Sequence, residues 1–545
     1  MNNNKTNLRH IAISFNIGII LLLTACQTLP SLANRSIETH ITANNPSTLS
    51  YVNAPLIAQH PNLSGIYPLD DGSEALVARR ALIHAAEHSL DVQYYIWHND
   101  TSGQLLFHEL VKAAHRGVHV RLLLDDNNTK GMDPILHALN KEPNIEIRLF
   151  NPFADRYLRF LGYLTDFSRL NRRMHNKSIT ADNQVTILGG RNIGDEYFDI
   201  GKKMLFVDLD VMAIGPIVNQ VSNNFDLYWN SASSYSLSSI IHRRRNKLHA
   251  DMPIFKRKTY NFLRASHYDQ AYLKDNFERR LTSGTLDYQW VHLTLVSDDP
   301  AKALPNNTTI KHKKQENSVL LAPDALPKTT IKFENASMTL NQLAAAVVEP
   351  QKKLMIITPY FVPTKTGLDY LLKLRREGVH IIILTNSLSA TDVPIVHSGY
   401  INYRIPLLQN GIEIYELKKQ GVLKSKKEHS FSGGSQSSLH AKTFTIDGNQ
   451  LYIGSLNFDP RSSRLNTEMG VVIKSPEMAQ YMDKAIKDAL PFVSYQVKLT
   501  KDGKLEWVKS DEHNQIKIYH QEPDTSKWQR IWVKILSILP IEGLL

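Results

Sequence analysis

The chain contains the stretch His175-Asn-Lys-Ser-Ile-Thr-Ala-Asp182, which has the outline His-x-Lys-x-x-x-x-Asp. The outline returns as His440-Ala-Lys-Thr-Phe-Thr-Ile-Asp447. A matched tail follows each copy, Gly189-Gly-Arg-Asn192 in the first and Gly454-Ser-Leu-Asn457 in the second. Matching positions lie 265 residues apart throughout (175 to 440, 182 to 447, 192 to 457). One such motif is a weak signal, but two copies with matched tails indicate a duplicated functional element.

The duplication extends beyond the motifs. Asp208–Pro216 echoes Glu468–Pro476, and upstream Arg116–Val120 matches Glu377–Ile381. We therefore expect two homologous halves rather than a short-period solenoid. A length of 545 residues is ample for two domain-sized units, each with its own core.

Each half shows strand–helix–strand patterning. In the first half, a helical pattern over Ala75–His88 comes first. Strand candidates at Leu90–Trp97 and Val118–Leu124 then flank a second helical spacing over Gly103–Arg116. This order predicts an α/β fold in which each half is a mixed β-sheet flanked by helices. The second half repeats the order in three segments: Leu354–Thr358, Leu368–Arg376 and Val379–Thr385.

The motif residues suit phosphoryl transfer. Residues two apart in a strand point to the same face, so His175 with Lys177, and His440 with Lys442, can meet one ligand. Lysine ammonium groups neutralise phosphate oxygens as charge develops in the transition state. One histidine attacks phosphorus to form a covalent phosphohistidine, and the other acts as general acid and then general base. With two lysines present, no metal and no other cofactor is expected.

The tails supply further candidates for binding the phosphate. Asn192 and Asn457 can donate hydrogen bonds, and the small residues Gly190 and Ser455 let the backbone approach the ligand. A carboxylate bonded to one ring nitrogen of each histidine would fix its tautomer and make the other nitrogen more basic.

The start of the chain has the pattern of a bacterial lipoprotein signal. Lys5 and Arg9 precede the apolar stretch Ile11–Leu23, and Leu23-Thr-Ala-Cys26 resembles a lipid-attachment site. This predicts a removed signal peptide, a lipid on Cys26, and a membrane-anchored protein of the cell envelope exposed outside the cytoplasm. A transmembrane anchor and a plain signal peptide are the alternatives. Since Cys26 is the only cysteine, the mature chain has no internal disulfide and no cysteine-based metal site.

Composition divides the remaining chain. Residues 1–25 are the predicted signal, and 26–62 are polar and are interpreted as a tether. The other predicted units are the halves 63–300 and 333–495, a linker or insertion at 301–332, and a C-terminal extension at 496–545.

The C-terminal extension contains apolar residues at helical spacing. Over Ser526–Leu539, Trp528, Trp532 and other apolar residues share one face, with basic residues beside it. Two tryptophans beside basic residues suit a helix lying in a membrane interface. A terminal helix docked on the protein core is the alternative. The net charge of +11 also favours an anionic partner, nucleic acid or phospholipid, without choosing between them.

The doubled motif resembles that of the phospholipase D superfamily, and its context is similar to bacterial cardiolipin synthases, particularly the C type. The resemblance spans roughly Gly65 to Leu545. It is carried by these stretches: Asp125–Asn128, Arg148–Phe153, Arg172–Lys177, Gly189–Asp195, Asp208–Pro216, Pro359–Pro363, Leu384–Leu388 and Asn457–Arg461.

The resemblance implies two halves packed around a shared cleft, and phosphatidyl transfer onto phosphatidylglycerol from phosphatidylethanolamine or a second phosphatidylglycerol. It makes His175 the nucleophile and His440 the acid/base, although the two roles could be reversed. The other site residues that it implies are Lys177, Lys442, Asn192 and Asn457 on the phosphate, Asp182 and Asp447 in the catalytic motifs, and Asp208 and Glu468 as the carboxylates that orient the histidine rings.

Three other functions are compatible with parts of the pattern. A phospholipase D hydrolase shares the covalent intermediate and differs only in using water as acceptor. A secreted nuclease would fit the positive charge, but such nucleases resemble a single half that dimerises, so no nucleic acid partner is expected. A non-enzymatic lipid-binding scaffold would not need both motifs intact.

Overall fold

The computed structural model describes residues 29–33, 35–41, 45–200, 205–241, 276–305, 338–419, 437–510 and 515–545. Cys26, the predicted signal at 1–25 and most of the predicted linker at 301–332 lie outside these residues. The lipid anchor, the linker and the location in the cell envelope therefore stay predictions.

Strands and helices alternate along both halves. The first-half strands are β1 (Ser64–Leu69), β2 (Ser89–Tyr94), β3 (His119–Asp125), β4 (Ile145–Phe150), β5 (Ser178–Ala181), β6 (Val185–Gly189), β7 (Leu205–Val207), β8 (Asp210–Ile214), β9 (Ser234–Ser236) and β10 (Gln289–Ser297). The second-half strands are β11 (Lys353–Ile357), β12 (His380–Asn386), β13 (Glu413–Leu417), β14 (Ser437–Leu439), β15 (Thr443–Ile446), β16 (Gln450–Gly454), β17 (Met469–Lys474), β18 (Ser494–Leu499), β19 (Leu505–Ser510) and β20 (Ile516–Tyr519). The α-helices are α1 (Thr48–Gln59), α2 (Gly72–Ala85), α3 (Thr101–His115), α4 (Asp133–Leu139), α5 (Arg159–Thr165), α6 (Phe167–Leu170), α7 (Pro216–Trp229), α8 (Leu237–Ile240), α9 (Phe277–Thr282), α10 (Met338–Ala346), α11 (Thr364–Arg376), α12 (Pro394–Tyr400), α13 (Arg404–Gln409), α14 (Pro460–Arg464), α15 (Pro476–Val493) and α16 (Lys527–Leu536).

The two halves repeat one sheet topology. In the first half, β2, β3 and β4 are parallel, and β2 also pairs antiparallel with β5, which continues through β6 to β8. In the second half, β11, β12 and β13 are parallel, and β11 continues antiparallel through β15 and β16 to β17. This repeat confirms the predicted α/β class with two homologous halves, each built on a mixed sheet.

Strands β1 and β10 join the two sheets into one of 18 strands within the described residues. β1 pairs with β8 on one side and with β10 on the other, and β10 continues onto β17 of the second half. Apolar side chains from both halves meet at this junction, including Leu188 and Val211 from the first and Ile453 and Val471 from the second. Backbone hydrogen bonds and a common core therefore hold the halves together.

The predicted elements lie where the patterning placed them, with small shifts. The predicted helices Ala75–His88 and Gly103–Arg116 correspond to α2 and α3, which begin slightly earlier. Asp71 and Asp100 are the N-caps of these helices: the carboxylate of each accepts the backbone N–H of the residue three positions later. The helices therefore begin directly after these aspartates, earlier than predicted. The predicted second-half segments correspond to β11, α11 and β12.

The described part of the predicted tether at 26–62 is docked on the protein, so that interpretation is wrong for this part. Arg35 donates to the backbone carbonyl of Ser231 at 2.5 Å. Helix α1 follows and buries Leu49 in the core of the first half. The polar composition was misleading because some of these polar groups bond the first half instead of facing water, as Arg35 does with backbone carbonyls and His40 with Asp226.

The predicted boundary between 495 and 496 is also wrong, because it falls inside β18. β18 pairs with β13, and β19 and β20 extend the same sheet, so most of the extension belongs to the second half. Helix α16 follows and contacts α12. Its buried residue is Val533, whereas Trp528 and Trp532 are exposed. The apolar face is thus not docked on the core. Among the residues described here, no helix has the length and apolar character that crossing a membrane requires.

Candidate active site

Backbone pairing between the halves builds the site. His175 donates its backbone N–H to the carbonyl of Thr467 at 2.9 Å, and His440 donates to the carbonyl of Val207 at 2.9 Å. Val207 ends β7, which pairs in parallel with β14 of the other half. Each histidine backbone is therefore fixed beside a segment of the opposite half.

The partner segments place a carboxylate on each imidazole. Thr467 immediately precedes Glu468, whose Oε2 lies 2.8 Å from Nδ1 of His175. Val207 immediately precedes Asp208, whose Oδ2 lies 2.5 Å from Nδ1 of His440. Because Nδ1 carries the proton that the carboxylate accepts, Nε2 of each ring keeps its lone pair for chemistry. Each histidine is thus oriented by the carboxylate of the other half.

The two lysines are buried beside the histidines. Lys177 and Lys442 each donate to the backbone carbonyl of the histidine two residues earlier. Burial, and then repulsion from Lys442, lowers the pKa of Lys177 to about 7. Burial lowers the pKa of Lys442 to about 8, against the attraction of Asp208. The ammonium forms of both lysines are therefore destabilised in the free site, and a bound anion would stabilise them.

Both histidines are neutral near pH 7. Burial, and then the charges of Lys177 and Lys442, hold the pKa of His175 well below its usual value. Burial and Lys442 also lower the pKa of His440, although Asp208 opposes them. His440 contributes in the same direction to the lowered pKa of His175.

The two carboxylates differ in charge state. Burial raises the pKa of Glu468 to about 7, even though Lys177 opposes the shift. Burial would also raise the pKa of Asp208, but the pairing with His440 and the charge of Lys442 outweigh it, and the net pKa is lowered. Asp208 is therefore ionised at neutral pH, whereas Glu468 is close to half protonated.

Gly190 and Ser455 contact the carboxylates rather than an open phosphate position, which corrects their expected role. The Ser455 hydroxyl donates to Oε2 of Glu468 at 2.5 Å and accepts the backbone N–H of Met469 at 2.9 Å. A Cβ at Gly190 would lie 2.0 Å from Oδ1 of Asp208. Gly190 thus leaves room for Asp208, and Ser455 binds Glu468, so each small tail residue supports a carboxylate that orients a histidine.

The two tail asparagines are buried but differ in their bonding. Asn192 accepts the backbone N–H of Ile96 at 3.1 Å and donates to the Tyr197 hydroxyl at 2.9 Å. The side-chain oxygen of Asn457 has no hydrogen-bond partner among the described residues. The amide of Asn457 is therefore the less constrained of the two for binding a ligand.

The motif aspartates lie outside the site, so their expected catalytic role is wrong. Asp182 accepts backbone N–H groups of Glu87, His88 and Ser89 at 2.8–3.2 Å. It follows β5, roughly 16 Å along the chain from Lys177 at ~3.3 Å per strand residue. Its left-handed φ of 52° forms the turn into β6.

Asp447 repeats this arrangement in the second half. It accepts backbone N–H groups of Gln351, Lys352 and Lys353 at 2.8–3.0 Å. Its φ is 53°. The eight-residue motif therefore spans one strand, with its chemistry at one end and a tie to the neighbouring strand at the other.

Aromatic rings enclose the histidines, and the sequence analysis missed them. Tyr95 lies edge-on to His175 with ring centroids 4.9 Å apart. Phe206 stacks on His440 and Tyr197 meets it edge-on, both at 5.1 Å. Tyr95 directly follows β2 and Phe206 lies two residues before Asp208, so nearness to the motif strands was the available signal. The rings exclude water from the imidazoles.

One cluster near the cleft has the composition of a metal site. Ligand atoms of His98, Asp100 and Glu196 lie within 4.8 Å of one another. His98 already pairs with Glu196 at 3.1 Å, and Asp100 caps α3. These contacts give the cluster a structural role.

Comparison with known proteins agrees with this geometry. The family model described as "Cardiolipin synthase, PLD-like domain" matches residues 80–229 and 343–490. The chain belongs to this PLD-like family. Both matched stretches contain one His-x-Lys pair, and the cross-half carboxylates Asp208 and Glu468 lie inside them.

Individual members of this and related groups align along most of the chain. It is 46% identical to cardiolipin synthase C of Escherichia coli (strain K12), over 90% of this chain and 98% of that protein. It is 32% identical to an uncharacterized protein of Helicobacter pylori (strain ATCC 700392 / 26695), over 80% of this chain and 81% of that protein. The crystal structure of phosphatidylserine synthase from Haemophilus influenzae Rd KW20 superposes with a TM-score of 0.52 at 14% identity, covering 90% of this chain and 99% of that one. This last likeness concerns the fold alone.

We predict that Asp208→Asn lowers turnover by about 10³- to 10⁴-fold, because an amide favours the wrong tautomer of His440 and cannot stabilise its imidazolium form. Glu468→Gln should cost less, because Glu468 is partly protonated at neutral pH. Steady-state turnover and its pH profile check both variants. If both variants lose the same fraction of turnover and keep the wild-type pH profile, the proposed difference in charge state between Asp208 and Glu468 is contradicted.

We predict that Asp447→Asn mainly affects stability. It weakens the hold on three backbone N–H groups, which costs about 1–3 kcal/mol in the free energy of unfolding. Turnover of the folded variant should stay within a small factor of wild type, in contrast to Lys442→Met. Urea denaturation and turnover measured on the same samples check this. A collapse of turnover with unchanged stability would restore the catalytic role of Asp447.

We predict that sulfate binding weakens as pH rises. Sulfate keeps a constant charge in the neutral to mildly alkaline range, so the pH dependence reports the protein. The protonated lysines bind the anion, and their pKa values in the free site are about 7 and about 8. The dissociation constant should therefore be lowest below about pH 7 and rise through pH 8. Calorimetric titration of wild type and Lys442→Met checks this, and an affinity independent of pH would contradict it.

Proposed function

We propose that this chain is a phosphatidyltransferase that makes cardiolipin, moving a phosphatidyl group through a phosphohistidine onto phosphatidylglycerol. The observation that carries the proposal is the pair of buried histidines, each bound by a carboxylate of the opposite half, with two buried lysines beside them. The family description and the name of the Escherichia coli relative support cardiolipin as the product.

His175 is the nucleophile in this proposal. Its pKa is held well below the usual value, so the ring is neutral, and Glu468 fixes the proton on Nδ1. Nε2 attacks the phosphorus of the donor lipid, and a P–N bond forms as the bond to the headgroup oxygen breaks. Glu468 is close to half protonated, so it stabilises an imidazolium form of His175 less than the ionised Asp208 stabilises that of His440. This difference favours His175 as the nucleophile and His440 as the acid.

His440 is the acid and base. Asp208 is ionised and stabilises the imidazolium form of His440, and an anionic phosphate beside the lysines opposes the burial and the Lys442 charge that lower the pKa of the ring. The imidazolium protonates the leaving headgroup oxygen. The neutral ring then takes the proton of the phosphatidylglycerol hydroxyl, whose oxygen attacks phosphorus and breaks the P–N bond. Cardiolipin leaves and His175 is regenerated.

Lys177 and Lys442 hold the phosphate oxygens and neutralise the charge that develops on them. The amide of Asn457 is placed to donate a further hydrogen bond. The motif residues are nearly all buried, and Tyr95 and Phe206 cover the imidazoles. Limited access of water to the intermediate favours a lipid alcohol as acceptor over hydrolysis.

Phosphatidylethanolamine is the proposed donor, with a second phosphatidylglycerol as the other candidate. The two differ in the leaving alcohol only, and the same acid, His440, serves both. The donor is therefore best identified by product analysis.

Lipid mass spectrometry on the purified protein in mixed vesicles tests the proposal. Phosphatidylglycerol is supplied with and without phosphatidylethanolamine, and His175→Ala and His440→Ala are compared with wild type. We expect cardiolipin from wild type, more of it with phosphatidylethanolamine present, and a loss of about a thousandfold or more in either variant.

The products separate the alternatives. Phosphatidic acid without cardiolipin would mean that water is the acceptor and the protein is a phospholipase. Cardiolipin that does not respond to phosphatidylethanolamine would make phosphatidylglycerol the donor. Wild-type product from either histidine variant would overturn the mechanism.

A further inference from the structure

Helix α16 presents an ordered apolar face to solvent. Trp528 and Trp532 are 79% and 59% exposed, and Ile535 is 47% exposed. At about 100° per residue, these side chains share one face, whereas buried Val533 points to the opposite side and packs on the protein. We call the exposed set, completed by Ile531 and Leu539, the α16 patch.

Helix α16 is held in place by contacts outside the α16 patch. Ser526 and Gln529 form a reciprocal capping box at the start of the helix. Asn402 donates to the carbonyl of Ser537 at 3.2 Å just beyond its end. Polar bonds and Val533 thus hold a helix whose most apolar face contacts solvent.

A second apolar surface lies on the first half, around α5 and α6. Phe160 and Leu164 are 63% and 77% exposed, and Leu158 and Phe167 are close to half exposed. We call these four residues the α5 patch. The scaffold beneath it is polar, because Arg159 donates to the carbonyl of Asp126 at 2.8 Å. Arg159 thus faces inward, whereas the neighbouring Phe160 faces solvent.

Arg461 in α14 links the two patches. Its backbone N–H donates to the carbonyl of Leu545, which follows α16, at 2.6 Å. Its guanidinium donates to the side chain and backbone oxygens of Asn171, the residue that ends α6, at 2.8 and 2.9 Å. Arg461 therefore contacts the chain end that follows α16 through its backbone, and the end of α6 through its side chain, which brings these two segments close together.

The same region borders the cleft. Arg461 lies four residues after Asn457 of the second motif tail. Tyr163 of α5 donates to Asn127 at 2.6 Å, and the neighbouring Asn128 donates to the carbonyl of Tyr95, whose ring contacts His175. Helix α5 is thus connected to the nucleophile through Asn127, Asn128 and Tyr95.

The charged residues of α16 indicate what kind of partner binds this surface. Lys527, Arg530 and Lys534 lie off the apolar stripe on the same helix, which contains no acidic residue. Tryptophan beside lysine and arginine suits the headgroup region of an anionic bilayer, whereas lysine is depleted in protein interfaces. The substrate of the proposed reaction is itself an anionic lipid.

We propose that the α16 and α5 patches together form a docking surface for an anionic phospholipid bilayer, from which lipids pass to the histidines. This inference rests on the proposed function for its lipid substrate. Docking itself requires no turnover, so the two can fail separately.

Photo-crosslinking of the full chain tests the surface directly. Vesicles of phosphatidylglycerol and phosphatidylethanolamine carry a trace lipid with a photoactivatable acyl chain, and crosslinked peptides are mapped by mass spectrometry. We expect labelled peptides from 526–541 and from 157–168. If either segment is not labelled, the two-patch surface is overturned. This holds even if an N-terminal lipid anchor keeps the protein on the vesicle, because anchoring alone does not place these two segments in the bilayer.

Two variants add a functional readout. Trp528→Ser with Trp532→Ser, and Phe160→Ser with Leu164→Ser, should lower turnover of vesicle-embedded phosphatidylglycerol by about tenfold or more. Turnover of a short-chain, monomerically dissolved phosphatidylglycerol should stay within about twofold, because the reacting groups are untouched. Vesicle turnover unchanged in either double variant overturns the proposal.

Tyr481→Ser is the matched control. Tyr481 is an exposed aromatic residue of α15, next to Gln480, which bonds Gly448 beside the distant Asp447 turn. It should lower neither activity. Loss of activity on both substrate forms in the patch variants would mean that they damage the fold or the chemistry, and the inference would fall. Absence of cardiolipin from wild type with the expected crosslinks would overturn the function and leave the surface standing.

Discussion

The site depends on buried imidazole–carboxylate pairs that cross between the halves. Burying an ionisable group is costly unless a partner of suitable charge and geometry meets it. Glu468 meets His175 and Asp208 meets His440, so neither half can complete its own histidine. The backbone bonds at Thr467 and Val207 hold these pairs in register, and the sheet junction at β1 and β10 keeps the two halves together. The joint architecture is thus a condition for the chemistry.

The site is electrostatically incomplete without an anion. The pKa values of Lys177 and Lys442 are lowered to about 7 and about 8 by burial, and repulsion between the two contributes at Lys177. A phosphodiester supplies the missing negative charge and raises the pKa of the neighbouring groups, including His440. Substrate binding therefore prepares the acid that the reaction needs. The asymmetry between ionised Asp208 and half-protonated Glu468 gives two similar histidines different roles in the proposed mechanism.

The surroundings of the site match a lipid substrate. Aromatic rings cover the imidazoles, and beyond them the α5 and α16 patches present apolar side chains that a soluble substrate would not require. Arg461, four residues after Asn457, contacts the ends of the segments that carry the two patches. In the proposed arrangement, the same feature that delivers lipid to the histidines also limits water, which links membrane docking to the preference for transfer over hydrolysis.

Periodicity and the doubled motif by themselves determined the α/β class, the two halves, and the residues His175, Lys177, His440 and Lys442 as a candidate site, because strand alternation and repeat spacing are local properties of the chain. They could not show which motif residues are catalytic and which are structural. Asp182 and Asp447 are repeated just as the histidines are, yet they accept backbone N–H groups at turns away from the histidines. Nor could they show that Gly190 and Ser455 face the carboxylates. The crossed pairing joins residues 232 and 293 positions apart, and the other assignments also depend on contacts between different strands and loops, which only the tertiary structure decides.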